Sequence, residues 1–289
     1  MRYGVILPQT EIGPDPDDVV SFAKVAEDSG FEFVVVYDHV LGADSSTRPG
    51  WSGAYDAGDQ FHEPFVLYGF LAAQTRLELM TGVLVLPQRQ TALVAKQAAE
   101  VDVLTRGRLR LGVGIGWNEV EYEALGVDFA SRGERYEEQV ELLRLLWTQD
   151  VVTFEGRFDH VEAAGILPRP IQRPIPIWMG GGTGSRVLER IGRLADGWLA
   201  LHVPGHGLEE GWEKVMEAAR SAGRDQGAVG LQGRVEPGDD PDDAKLKRQL
   251  ERWRAFEPTT HLAVSGLHAG RSPRDHVEFV KRAAEVVFK

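Results

Sequence analysis

The sequence predicts an α/β protein whose strands close into a (βα)8, or TIM, barrel, with one domain covering residues 1–289. Three observations predict it. The run Phe33-Val34-Val35-Val36-Tyr37 is apolar at every position, the pattern of a parallel strand covered by helices on both faces. Strand and helix patterns alternate about eight times along the chain, which calls for a parallel sheet and, at that number, for closure. Finally, chemistry-bearing residues or glycines follow several strands in turn, as they do at the functional rim of such a barrel.

The elements follow in order. Tyr3 to Leu7 is the first strand, and Asp17 to Ser29 a helix capped near Asp15 or Asp17 and stopped by Gly30. Phe33 to Tyr37 is the second strand. The Gly/Ser/Asp-rich stretch from Gly42 to Gln60 is long enough to be a lid or binding loop, and His62-Glu63-Pro64 opens the next helix. Leu77 to Leu86 is the third strand, Thr91 to Leu104 its helix, Leu109 to Val113 the fourth strand, and Arg132 to Trp147 a helix. Val151 to Phe158 reads as a strand, a turn and a return strand, within an insertion of about residues 149–174. Pro176 to Met179 is the fifth strand, followed by helices and strands at Ser185 to Leu194, Gly197 to Leu201, Gly211 to Ser221, a weak strand at Ala228 to Val235, Ala244 to Phe256, His261 to Val264 and Pro273 to Val287. The acidic run Glu236 to Asp243 is expected to cap the helix it precedes.

Composition narrows the function. No stretch approaches the roughly 20 apolar residues that span a bilayer, and the chain opens straight into a strand pattern, so a cytoplasmic protein is expected. With no cysteine there is neither a disulfide nor a thiolate nucleophile or metal ligand. A net charge of −12 disfavours nucleic acid and anionic membranes as partners and favours small-molecule chemistry.

The motifs sharpen this. Asp38-His39 places an acid and an imidazole directly after the second strand, where a histidine can donate a proton near neutral pH and a neighbouring carboxylate can orient it. Gly112-Val113-Gly114-Ile115-Gly116-Trp117-Asn118 is one residue out of register for a dinucleotide fingerprint. Gly180-Gly181-Gly182-Thr183-Gly184-Ser185 lacks the lysine of a P-loop, but bare backbone at a helix N-terminus suits a single phosphate, with Arg186 nearby. No metal site is expected, because Pro204 and Gly205 separate His202 from His206, and no Gly-x-Ser-x-Gly elbow follows a strand.

Taken together, Val36-Tyr37-Asp38-His39, Leu79 to Leu84, Leu111 to Glu119, Ile177 to Gly181 and Ala195 to Trp198 resemble the luciferase-like flavin and deazaflavin oxidoreductases, and within them the single-domain bacterial type that uses coenzyme F420. The resemblance runs through nearly the whole chain and is weakest from Ala228 to Phe256. It implies a tricyclic ring bound at the C-terminal rim, a cis peptide joining Gly82 to Val83 against the ring, and a phosphate on Gly180 to Gly184. Cofactor contacts are then implied for Asp38, His39, Gly82, Val83, Gly114, Gly116, Trp117, Asn118, Met179, Gly180, Gly181, Gly182, Thr183 and Gly184, and catalysis for His39 with Asp38. The glutamate and tryptophan typical of the similar F420-dependent glucose-6-phosphate dehydrogenases are replaced by Trp117 and Ala43, so oxidation of that sugar phosphate is not expected. Tyr37, Trp51, Phe61, His62 and Trp117 are instead expected to form the pocket for an apolar or aromatic substrate. The implied activity is hydride transfer with F420, in a protein that resembles homodimers. An FMN-dependent monooxygenase and a non-catalytic flavin-binding protein are the alternatives.

Overall fold

The computed structural model describes residues 1–239 and 243–289. The barrel is built from β1 (Arg2–Ile6), β2 (Phe33–Val36), β3 (Glu78–Thr81) continued by β4 (Leu84–Val85), β5 (Leu109–Gly114), β8 (Ile177–Gly181), β9 (Gly197–Ala200), β10 (Gly230–Val235) and β11 (His261–Ser265). Neighbours pair in parallel around the ring, β3 pairs with β5, and β1 pairs with β11 to close it. Between α5 (Arg132–Thr148) and β8 lies the expected insertion, an antiparallel hairpin of β6 (Val152–Glu155) and β7 (His160–Ala164).

Helices α1 (Pro16–Asp28), α2 (Pro64–Leu71), α3 (Thr91–Thr105), α4 (Glu119–Ala124), α6 (Ser185–Leu194), α7 (His206–Ser221), α8 (Ala244–Arg254) and α9 (Pro273–Val287) join α5 as the α-helices of the described residues. The Asp15 carboxylate caps α1, and Glu63 caps α2 through the Val66 N–H at 2.7 Å. Two expectations differ. Helix α7 begins at His206, five residues ahead of Gly211, and buries Leu208 in its added turn. Of the acidic run expected to cap α8, residues 240–242 lie outside the described set, and Asp243, at the N-cap position, makes no capping hydrogen bond, its carboxylate accepting from Arg282 instead. Among the described residues no helix is long and apolar enough to cross a membrane.

Strand alternation sorts the core into two layers. Val34 and Val36 of β2 face the helices, while Phe33 and Val35 face the barrel interior with Ile6, Met80, Trp178, Leu199 and Ala263. The barrel floor is closed by an unexpected group. Arg110, on β5, lies between the rings of Phe33 and Trp178, with its guanidinium carbon 4.7 and 4.6 Å from their centroids. It pairs with Glu78 at 2.6 Å and donates to Gln232 Oε1 at 2.9 Å. Burial pulls the Arg110 pKa down to about 10, against the opposing pull of Glu78, so the side chain stays charged at neutral pH.

Candidate active site

Above that floor, at the C-terminal ends of the strands, opens a cavity of about 330 Å³. One wall is Gly82, Val83, Gly114 and Gly180, and facing it are Gln232 and Arg234. The Gly82–Val83 peptide is cis, as the resemblance implies. Its surroundings show why glycine stands at three nearby positions. A Cβ on Gly114 or on Gly180 would come within 2.6 Å of a Val83 methyl, and one on Gly82 within 2.3 Å of Val35. The valine side chain is thus seated between two glycines, which leaves a flat, bare surface toward the cavity.

The glycine run ends in the N-terminus of α6, where Gly184 is the N-cap and, among the described residues, no side-chain capping hydrogen bond is made. Gly182 and Gly184 have no atom closer than 3.9 Å to an added Cβ, and no glycine from 180 to 184 has a positive φ. Their smallness therefore keeps space open rather than permitting an unusual turn. Thr183 Oγ1 lies 3.3 Å from His202 Nε2, which places an imidazole beside the same loop. His206 lies instead near Glu210 on α7.

Several sequence expectations are corrected. Asp38 does not orient His39. Alternation carries Tyr37 inward and Asp38 outward, where its buried carboxylate meets Arg89 at 2.7 Å and the Val85 N–H at 3.0 Å. Burial raises the Asp38 pKa, and the Arg89 guanidinium opposes that rise. Asp38 is accordingly a clamp between the second and third strands, away from the cavity lining. Met179, expected at the cofactor, also alternates outward and is buried under the helices. Asn118 caps α4 through the Val120 N–H at 3.1 Å and donates to Leu41 O at 3.0 Å, so it positions a loop rather than lining the cavity.

The carboxylate that holds His39 is Glu121, on the short helix α4 that the hydrophobic pattern does not reveal. Glu121 Oε1 lies 3.1 Å from His39 Nδ1 and accepts from the Val40 and Leu41 N–H groups at 2.8 and 3.2 Å. Its other oxygen accepts from Gln88 at 3.0 Å. Burial pushes this carboxyl up, but the hydrogen bonds from His39, Gln88 and the backbone outweigh it and hold the pKa below the usual carboxylate range. An ionised Glu121 accepts the hydrogen bond that His39 Nδ1–H donates, which leaves Nε2 as the ring nitrogen without this partner.

Aromatic rings from loop 42–60 and its flanks, and from the segment after β5, cover this histidine. Phe61, Tyr55 and Trp117 lie 4.7, 5.3 and 5.6 Å from the His39 ring, centroid to centroid, and Trp51 packs on Trp117 at 5.7 Å. Of the expected pocket residues, Tyr37 and Trp117 line the cavity itself, whereas Trp51 and Phe61 stand behind Trp117 and over His39. His62 is held away by Gln9 and Gln60 and does not reach the cavity lining.

The match of a family model described as "Luciferase-like monooxygenase" extends over residues 1–286. The chain belongs to that family. A protein of Mycobacterium tuberculosis is 40% identical over 187 residues, 62% of this chain and 64% of that protein, so the match covers just under two thirds of that relative. An F420-dependent glucose-6-phosphate dehydrogenase of Amycolatopsis mediterranei is 31% identical over 261 residues, 88% of this chain and 72% of the relative. An FMNH(2)-dependent dimethylsulfone monooxygenase of Pseudomonas putida is 32% identical over 177 residues, 60% of this chain and 46% of the relative. Among solved structures, a monooxygenase from Streptomyces bottropensis superposes with a TM-score of 0.78 over 100% of this chain and 99% of its own, at 18% identity. An F420-dependent secondary alcohol dehydrogenase does so at 0.75, with 18% identity, over 99% and 98%. These structures share the fold. Members of the family are oxidoreductases and monooxygenases, and the relatives include both F420- and FMN-dependent enzymes.

Proposed function

We propose that this protein transfers a hydride between coenzyme F420 and a small organic substrate with an apolar or aromatic body, most simply by reducing an activated C=C or C=N bond. The observation that carries the reading is the flat wall of Gly82, Val83, Gly114 and Gly180 in a largely apolar cavity, with an uncapped helix N-terminus at its side. A tricyclic ring fits against such a wall, and a phosphate fits the free N–H groups of α6. Reduced deazaflavin, when bound, supplies the hydride. The chain's own part is to hold the ring flat, exclude water with Trp51, Tyr55, Phe61 and Trp117, and deliver a proton from His39 Nε2 to the second atom of the reduced bond. F420 is favoured over FMN because the F420-dependent relative aligns over 88% of this chain and the FMN-dependent one over 60%.

Fluorescence titration of the purified protein with F420, FMN and riboflavin tests this. F420 is expected to bind at least about tenfold more tightly than FMN, and FMN about tenfold more tightly than riboflavin, whose missing phosphate leaves the α6 N-terminus unused. Preference for FMN would move the reading to an FMN-dependent monooxygenase on the same scaffold. We also propose a homodimer, supported by Val66 and Phe70 of α2 and Leu93 of α3, which stand exposed on packed neighbouring helices. Sedimentation at twice the chain mass is the expected result, and a monomer at micromolar concentration would refute it.

A further inference from the structure

The wall opposite Val83 is polar, and nothing in the proposed chemistry has yet used it. Around the barrel β10 is four strands from the β3/β4 pair in either direction, so its inward side chains face the Val83 wall across the full width of the mouth. Those side chains are Gln232 and, two residues on and one step nearer the rim, Arg234. Both line a cavity whose other contacts are mainly apolar or glycine.

Their hydrogen bonds fix which atoms they offer. Arg110, held on the floor by Glu78 and two aromatic rings, donates to Gln232 Oε1. The amide is thereby turned so that Nε2 is the end left over, and among the described residues the Arg110 bond is the one hydrogen bond its side chain makes. Arg234 donates from Nη1 to the Tyr37 hydroxyl at 3.3 Å and pairs through Nε with Glu236 at 3.0 Å. The Tyr37 oxygen is thus an acceptor toward Arg234, and its own proton is free to be donated. Glu236 is over a third exposed, so it neutralises Arg234 only weakly across water. The remaining guanidinium donors have no protein partner among the described residues.

We propose that Gln232, Tyr37 and Arg234 form a carboxylate subsite, and that the substrate is an organic acid whose apolar body lies over the ring while its carboxylate meets this wall. Three donors and one positive charge converge on this side of the cavity, whose lining includes no carboxylate because Glu236 lies outside it, and that is the chemistry an oxyanion completes. The placement rests on the proposed function, because a ring lying on Val83 leaves its other face, and therefore the substrate, against β10. An anion could also come from the pyrimidine edge of a reduced cofactor, and the experiment separates the two sources.

The probes are cinnamate, an unsaturated aromatic acid, and cinnamamide, its uncharged isostere. Calorimetric titration is carried out on the protein both with and without bound cofactor. Cinnamate is expected to bind at least about tenfold more tightly than cinnamamide. Arg234→Met should abolish that preference, and so should Gln232→Glu, which keeps an acceptor for Arg110 but turns the donor into a carboxylate. Cofactor affinity should change by less than about threefold in both variants. Equal binding of acid and amide, no measurable binding of cinnamate, or a preference that survives Arg234→Met would overturn the subsite. Loss of cofactor affinity in Arg234→Met with no change in acid preference would assign the wall to the cofactor and overturn it too. An acid preference in a protein that binds neither F420 nor FMN would sink the cofactor reading while leaving the subsite standing.

Discussion

His39→Ala is expected to lower turnover by about 10²-fold or more, the usual scale of general acid–base assistance, while changing cofactor affinity much less. The expectation comes from the anchoring of one ring nitrogen. Glu121 accepts from Nδ1 and from two successive backbone N–H groups of the same loop, so the imidazole orientation and the loop conformation are fixed by one carboxylate. Turnover is measured with a substrate found by screening with reduced F420; a wild-type rate in the variant would reduce His39 to a packing residue. Glu121→Gln supplies the companion readout. Because the folded state holds Glu121 below the ordinary carboxylate range, its charge contributes stability that is complete above that range and is lost as the pH falls through the depressed value. The stability gap between wild type and Glu121→Gln in urea unfolding should therefore be widest near neutral pH and close on acidification.

Arg110→Ala is expected to be the most damaging of the single changes considered, costing about 3 kcal/mol or more in denaturant unfolding, because it empties the space of a buried side chain in the barrel floor and leaves the Glu78 carboxylate paired with Arg2 alone. It also removes the cation between Phe33 and Trp178 and frees the Gln232 amide to turn. Replacing both partners, Arg110→Met with Glu78→Gln, should recover most of that loss, since the methionine fills the emptied space and the facing charge is removed with the buried cation. If Arg110→Ala costs less than about 1 kcal/mol, the floor does not depend on the pair.

How much of this was legible in the chain depended on which physical signal each residue carried. The barrel was readable because eight strand patterns sit between amphipathic helices, and burial of β2 on both faces is plain from its valines. Side-chain alternation separates the residues that drew attention: it turns Tyr37 into the cavity and sends Asp38 out to Arg89, while His39, beyond the strand, is held by Glu121 behind Trp117 and is not itself part of the cavity lining. Glu121 carried a fainter signal, since Asn118-Glu119-Val120-Glu121 has the spacing of a helix start with a capping box, although Glu121 turns away to His39. Gln232 and Arg234 lay in the strand that read most weakly. The reason is steric: Gly230 and Gly233 leave room for the rings of Trp178 and Trp253, which an added Cβ would meet at 2.6 and 2.5 Å, and those glycines dilute the apolar pattern. Arg110 was visible as a charge in the middle of an apolar strand, but its partners come from positions 78 and 232, distant in sequence and adjacent only once the ring closes.

The plugged floor makes the barrel a blind shaft. With Arg110 wedged between two aromatic rings at its base, molecules enter and leave by way of the rim, past Trp51 and Tyr55 of the covering loop and Trp117 beside them. Two molecules stacked in such a shaft cannot exchange places. Whichever lies deeper has to arrive first and depart last, so depth along the barrel axis becomes order in time.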